Sequence, residues 1–200
     1  MTPSRSDAGS GGAQPDRSSG DVPQHAGARS GEHRSTDLGS SPVPAPGEDD
    51  HVRGDGTVVV EYADLECPYC AKANLLLTQL PVRRVFRHFP IVSKHPRARV
   101  LAHALEAAGL QGRFWEMHGS LLGDQGHLDD PHLWERCERL GLDVARFDAD
   151  RRSDAVAERV QRDFRSGVRA GVMTTPTLFV DGVAHPGVPD PALIAQLARC

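Results

Sequence analysis

Thr57-Val58-Val59-Val60-Glu61-Tyr62-Ala63, then Asp64-Leu65-Glu66, then Cys67-Pro68-Tyr69-Cys70-Ala71-Lys72-Ala73-Asn74-Leu75-Leu76-Leu77-Thr78, is the stretch that decides how this chain folds. Its first seven residues are mostly β-branched and apolar, which reads as a buried strand. Ala71 to Thr78 has no β-branched residue before its end and reads as a helix, with Pro81 beyond to close it. Two cysteines three apart therefore stand where a strand hands over to a helix N-terminus. Pro68 is tolerated there, in the first turn.

That location has chemical consequences. The unpaired N–H groups and dipole at a helix start stabilise a thiolate at Cys67. Helical neighbours at this spacing hold their Cβ atoms roughly 5–6 Å apart, whereas a disulfide needs about 3.8 Å. At the first turn Cys67 can leave helical geometry, so the spacing permits a disulfide that forms and breaks. Glu61 is an acid inside an apolar strand. It is either a solvent-facing residue of an edge strand or a buried carboxylate of raised pKa that takes the proton of Cys70; a central, covered strand favours the second reading.

A third element lies far along the chain, in Val172-Met173-Thr174-Thr175-Pro176-Thr177-Leu178-Phe179-Val180-Asp181-Gly182. Leu178 to Val180 reads as a strand and Asp181-Gly182 as a hairpin turn. Pro176 stands at the strand's start, where a missing N–H is tolerated. A cis Thr175–Pro176 bond would expose backbone groups beside the cysteines to an extended substrate peptide, and a trans proline opening an edge strand is the alternative.

Between the two halves lies a helical block, about residues 91–170. Pro96 to Leu110 is Ala-rich, with Leu101, Ala104, Leu105 and Ala108 on one face. Phe114 to Leu122 continues as a helix. Asp130-Pro131 reads as an N-cap followed by proline at N1, opening a helix through Leu140 that carries Leu133, Trp134 and Cys137 on its apolar face. Ser153 to Arg169 is a longer helix with Val156, Val160, Phe164 and Val168 at spacings of four, a core stripe. Cys137 reads as a small core residue, and the terminal Cys200 as incidental.

Composition divides the chain of 200 residues unevenly. Residues 1–50 are rich in Gly, Ser, Pro, Asp and Arg and lack aromatic residues, so a disordered tail is expected, followed by one folded domain at 51–200. A net charge of −4 with interspersed signs argues against nucleic acid as a partner. No apolar run is long enough for a membrane span or a signal-peptide core, so a cytoplasmic protein without membrane insertion is expected. In that compartment a structural disulfide framework is not expected, and a Cys-x-x-Cys means redox chemistry or a metal site. His88 and His95 are spaced too widely for the usual zinc pattern, so no metal is expected, though a non-catalytic metal-binding module using the same thiols remains an alternative.

Together these features resemble the DsbA-like branch of the thioredoxin superfamily. The residues carrying the resemblance are Val60-Glu61-Tyr62, Glu66-Cys67-Pro68-Tyr69-Cys70, Phe86-Arg87-His88-Phe89-Pro90, Gly112-Arg113-Phe114-Trp115, and Thr175-Pro176-Thr177 with Phe179-Val180-Asp181-Gly182. Similar domains occur free-standing and fused behind sodium/proton antiporters. The resemblance implies an α/β thioredoxin-like fold with a helical insertion and a monomeric thiol–disulfide oxidoreductase that needs no cofactor. It implies that Cys67 is the attacking thiolate, Cys70 the buried resolving thiol, Glu61 the proton acceptor and Thr175-Pro176 the cis-proline peptide-binding element. Pro68 and Tyr69 would tune the redox potential. The partners implied are disulfide-containing protein substrates and a thiol electron donor, either a thioredoxin-type system or a low-molecular-weight thiol. Two departures stand out. The stretch from Cys70 to the next strand is short, and Pro68-Tyr69 is also typical of glutaredoxins, which keeps a glutathione-dependent reductase as an alternative.

Overall fold

The computed structural model describes residues 41–199. The apolar run Thr57–Ala63 is strand β2, following a short β1 (His51–Arg53), and it leads through four residues into helix α1 (Pro68–Leu77). Strand β3 (Val82–His88) returns parallel to β2, while β1 runs antiparallel along the outer edge of β3. Strands β4 (Thr177–Val180) and β5 (Val183–Pro186) form the expected hairpin. Asp181 and Gly182 both sit at positive φ, 49° and 79°, as a tight two-residue turn requires. The sheet order is β1-β3-β2-β4-β5, which makes β2 central.

Pairing register fixes which side chains share a face. Val59 lies opposite Arg84 and Glu61 opposite Phe86, so Val59, Glu61, Ala63, Arg84, Phe86 and His88 project to one side. There Val59 packs with Leu77 of α1 and with Leu193 and Leu197 of the C-terminal helix α7 (Pro191–Leu197). Val60 and Tyr62 project to the other side, among Val85, Phe89, Val172 and Phe179.

The helical block spans α2 (Ala98–Gly109), α3 (Phe114–Gly123), α4 (Asp130–Arg139), α5 (Val144–Asp150) and α6 (Asp154–Arg169). Its core joins Leu101, Leu105, Met117, Leu121, Leu133, Cys137 and Phe147, and it continues to Cys67 and Cys70 themselves. Cys137 is fully buried there. The cap of α4 falls one residue before the expected Asp130: Asp129 accepts from the N–H of His132, leaving the Asp130 carboxylate to Arg97 and Arg151. The stripe of α6 is core only in part. Spacing of four advances about 40° round a helix at each step, so Val156 and Val160 are buried while Val168 has turned out to solvent.

Residues 41–50, which composition groups with the tail, make contacts with the sheet and α6. Arg87, on the second face of β3, donates to the carbonyls of Pro44 (3.0 Å) and Ala45 (3.2 Å) and to the Asp50 carboxylate (2.8 and 3.0 Å). Ser41 N–H donates to the Arg169 carbonyl. This segment is held by backbone oxygens meeting one inward arginine, which a count of apolar residues does not register. Expectations of disorder for residues 1–40 and of an incidental Cys200 concern residues outside those described.

Gly167 shows how closely α6 lies on the sheet. A Cβ there would stand 2.6 Å from the ring of Phe89 and 2.9 Å from that of Tyr62, and the neighbouring Ser166 hydroxyl bonds the Tyr62 hydroxyl at 2.8 Å. Gly167→Ala should therefore lower stability by about 1–3 kcal/mol in urea denaturation, although alanine is the better helix former by about 1 kcal/mol. An unchanged or raised midpoint would contradict this packing.

Candidate active site at a helix N-terminus

Cys67 is the N-cap of α1, with extended backbone (φ −78°, ψ 121°) and Pro68 in the first turn. Its carbonyl receives the N–H groups of Cys70 (3.1 Å) and Ala71 (3.2 Å), closing the first turn beneath it. The side chain is thereby outside helical geometry, as the disulfide-forming reading requires. Both cysteines are free thiols; Cys70 is fully buried and Cys67 nearly so. Pro68 and Tyr69 are exposed beside them.

Sheet register brings in the third element. β4 runs antiparallel to β2 with Thr177 opposite Tyr62, so continuing the ladder sets Thr175 level with the turn after β2. The Cys67 thiol lies 3.4 Å from the Thr175 carbonyl, and the Thr175–Pro176 bond is cis. Met173, just upstream, is almost fully exposed.

The two thiols are driven apart electrostatically. A hydrogen bond from the Cys70 thiol is the largest influence on Cys67 and, with the Thr175 side chain and the N–H groups of Cys70 and Tyr69, it outweighs burial and brings the Cys67 pKa down to about 5. Burial pushes Cys70 well above the ordinary thiol value, and its hydrogen bond to Cys67, the Cys67 charge and the Glu61 carboxylate add to this. The N–H of Asp64, 3.4 Å from Cys70 Sγ, acts the other way. Burial likewise raises Cys137, to about 11.

Glu61 is fully buried on the central strand, so the edge-strand reading does not hold for it. Its Oε2 takes a 2.6 Å hydrogen bond from Arg84, which also donates to Asn74 of α1 at 2.9 Å. Glu61 Oε1 is buried with no hydrogen-bond partner among the described residues. Arg84 was absent from the sequence reading. Its signal was an arginine on the same face as Val82 and Phe86 in a strand covered on both sides, which demands a buried anion.

Further residues around the dithiol carry no motif signal. Asp64 accepts from the N–H groups of Glu66 and Ile91 and bonds His95 Nδ1 at 2.8 Å. Gln125, between α3 and α4, reaches the carbonyls of Leu65 and Cys67. His88, the last residue of β3, bonds Glu106 (2.7 Å), which also bonds His51. Burial would raise Glu106, and those two imidazoles more than reverse it. Among the described residues, no group of three or more His, Cys, Asp or Glu is placed to hold a metal ion, and no helix is long and apolar enough to cross a membrane.

Comparison with known proteins agrees with this architecture. The family model of the DSBA-like thioredoxin domain matches residues 88–198, which contain the helical block and Thr175–Pro176 but not Cys67 and Cys70. Among curated sequences, the Na(+)/H(+) antiporter NhaA 1 of Salinispora arenicola is 45% identical over 156 residues, covering 72% of this chain and 24% of the antiporter. The antiporter NhaA of Herminiimonas arsenicoxydans is 43% identical over 148 residues, covering 70% and 23%. The chain thus spans about a quarter of the length of the curated relatives it matches. Among solved structures, a thioredoxin-like oxidoreductase from Silicibacter pomeroyi superposes with a TM-score of 0.69 at 24% identity, covering 76% of this chain and 92% of its own. The thiol-disulfide exchange protein alpha-DsbA2 of Wolbachia pipientis gives 0.66 at 18% identity, covering 74% and 84%. These two likenesses are of fold.

The asymmetry of the thiols is directly measurable. Alkylation of the reduced protein by iodoacetamide should modify Cys67 first, at half its maximal rate near pH 5 and at constant rate above neutrality. A midpoint in the ordinary thiol range would contradict the stabilised thiolate.

Proposed function

The chain belongs to the DSBA-like thioredoxin domain family, and from that premise we propose that it is a thiol–disulfide oxidoreductase working through Cys67 and Cys70. The observation that carries the reading is the pairing of a stabilised thiolate at Cys67 with a protonated, buried thiol at Cys70, beside the Thr175 carbonyl. The Cys67 thiolate attacks one sulfur of a substrate disulfide. That S–S bond breaks, the other substrate sulfur leaves and takes a proton from solvent, and a Cys67–substrate mixed disulfide forms. Cys70 then loses its proton to Glu61 and attacks Cys67 Sγ, releasing the second substrate thiol. Two electrons pass from the protein dithiol to the substrate, and the reverse sequence oxidises a substrate dithiol.

Each site residue has a role in this scheme. Pro68 and Tyr69, exposed between the cysteines, tune the potential through the turn they form. Thr175 and Pro176 present backbone to an extended substrate strand. Glu61 is held by Arg84 through one carboxylate oxygen, leaving Oε1 as the proton acceptor. The substrates are disulfide-bearing proteins. A cytoplasmic setting would favour reduction or isomerisation of these substrates, with electrons returned by a thioredoxin-type or low-molecular-weight thiol donor.

Serine replacements test the assignment. In an insulin-reduction assay with a thiol donor, Cys67→Ser should abolish turnover and Cys70→Ser should accumulate mixed disulfide, while Cys137→Ser should keep most of the activity. Substantial glutathione-dependent turnover in Cys70→Ser would move the reading to a monothiol, glutaredoxin-like reductase. Equal loss in Cys67→Ser and Cys137→Ser would remove the dithiol assignment.

Glu61→Gln isolates the proton acceptor. Decay of a preformed Cys67 mixed disulfide should slow at least about a hundredfold near neutrality, with the gap narrowing as alkaline pH ionises Cys70 directly. A deficit independent of pH would point to damage from the unpaired Arg84 instead.

A further inference from the structure

The turn that presents Cys67 is pinned from the helical insertion at several points. The Asp64 carboxylate ties it to Ile91 and His95, and Glu66 Oε2 accepts the Arg97 N–H at 2.7 Å. Among the described residues, a further side chain, Gln125, hydrogen-bonds the backbone of Cys67 itself. Gln125 Nε2 donates to the Leu65 carbonyl at 2.8 Å and to the Cys67 carbonyl at 3.0 Å. Both partners are pure acceptors, so the amide must turn its NH2 toward them, which settles its orientation chemically.

Gln125 is not a loose surface side chain. Its segment is clamped on either side: buried Arg136 donates to the carbonyls of Asp124 and His127, and Arg97 Nε donates to the Leu128 carbonyl at 2.8 Å. A rigid platform thus delivers two donors to the peptide groups at residues 65 and 67.

The second of those contacts bears on the sulfur. The direction of the Cys67 carbonyl relative to its Cα–Cβ bond is the ψ angle of Cys67, 121° here, and the following Pro68 has its own φ fixed by its ring. Holding that carbonyl holds Cys67 in extended geometry, with Sγ toward Thr175 and toward the N–H groups of the first turn. We propose that Gln125 is a positioning residue for the Cys67–Cys70 couple, through which the helical insertion sets the balance between dithiol and disulfide.

This rests on the oxidoreductase reading and deepens it. The Cys67 carbonyl keeps the N–H groups of Cys70 and Ala71 when the two Gln125 donors are lost, so its peptide group tilts within the first turn and does not turn free. The N–H groups of Tyr69 and Cys70 then converge less well on the sulfur, and the reduced form is the one weakened.

The test uses Gln125→Met, which keeps length and packing without a donor, and Gln125→Glu, which keeps shape but offers only acceptors. Three quantities are read on the full chain: the melting temperature, the pH midpoint of Cys67 thiolate absorbance, and the equilibrium with reduced and oxidised glutathione. The expected result is a higher midpoint and a shift of about tenfold toward the disulfide in Gln125→Met, and a larger shift in Gln125→Glu. A midpoint and an equilibrium constant both within about twofold of the parent protein would overturn the inference, whatever the melting temperature does, because a purely structural tether would move only stability. Failure of the parent protein to exchange disulfides would instead overturn the oxidoreductase reading, and the thiolate midpoint would still report on Gln125.

Discussion

The register between β2 and β4, with Tyr62 opposite Thr177, is the constraint on which the rest of the site depends. It brings together residues more than a hundred positions apart, placing the Thr175 carbonyl 3.4 Å from Cys67 Sγ. Slippage by one residue would move the proline element by about one strand rise, roughly 3.3 Å, and turn every side chain of β4 to the opposite face. Leu178 and Val180 would then leave the cluster they share with Val59 and Leu77, and Phe179 would leave Tyr62. The apolar cost of that exchange locks the register, and the register sets Thr175 beside the cysteine pair.

Around this frame the sheet carries charged groups that apolar packing alone would exclude. Arg84 and Arg87 project from opposite faces of β3, and each is buried. Arg84 is matched by Glu61 and Asn74, and Arg87 by Asp50, the Tyr62 hydroxyl and two backbone carbonyls. Breaking one such pair leaves a lone charge in the interior, which costs several kcal/mol, about 3–5. The pairs tie separate segments together: one fastens α1 to the sheet beneath the cysteines, and the other fastens residues 44–50 to the opposite face. His118 is fully buried beside Phe86 and Trp115, neither ring nitrogen has a hydrogen-bond partner among the described residues, and burial holds it in the neutral form.

Chemistry at the site comes from an imbalance between two identical side chains. Cys67 caps a helix and collects hydrogen bonds, whereas Cys70, one turn on, is enclosed by the helical core and faces a carboxylate. The same turn thus holds one thiol well below the ordinary thiol range and the other well above it. Most of what surrounds the turn, from Asp64 and His95 to Gln125, fixes backbone groups and not sulfur atoms, and the electrostatic difference follows from where those groups point.

Local signals determined much of this from sequence alone. Thr57–Ala63 is a strand because its residues are β-branched, α1 begins at the cysteines because Pro68 opens a helix, and the β4–β5 hairpin closes on Asp181-Gly182 because that pair accepts positive φ. Those features depend on neighbours within a few residues, so a sequence displays them. The choice of Arg84 as the partner of Glu61, the capture of residues 44–50 by Arg87, and the reach of Gln125 to the Cys67 carbonyl were decided only in three dimensions. Each is a contact between polar groups far apart in the chain. Such a group is drawn to whichever unpaired donor or acceptor the packed core leaves beside it, and that neighbour is set by the fold as a whole.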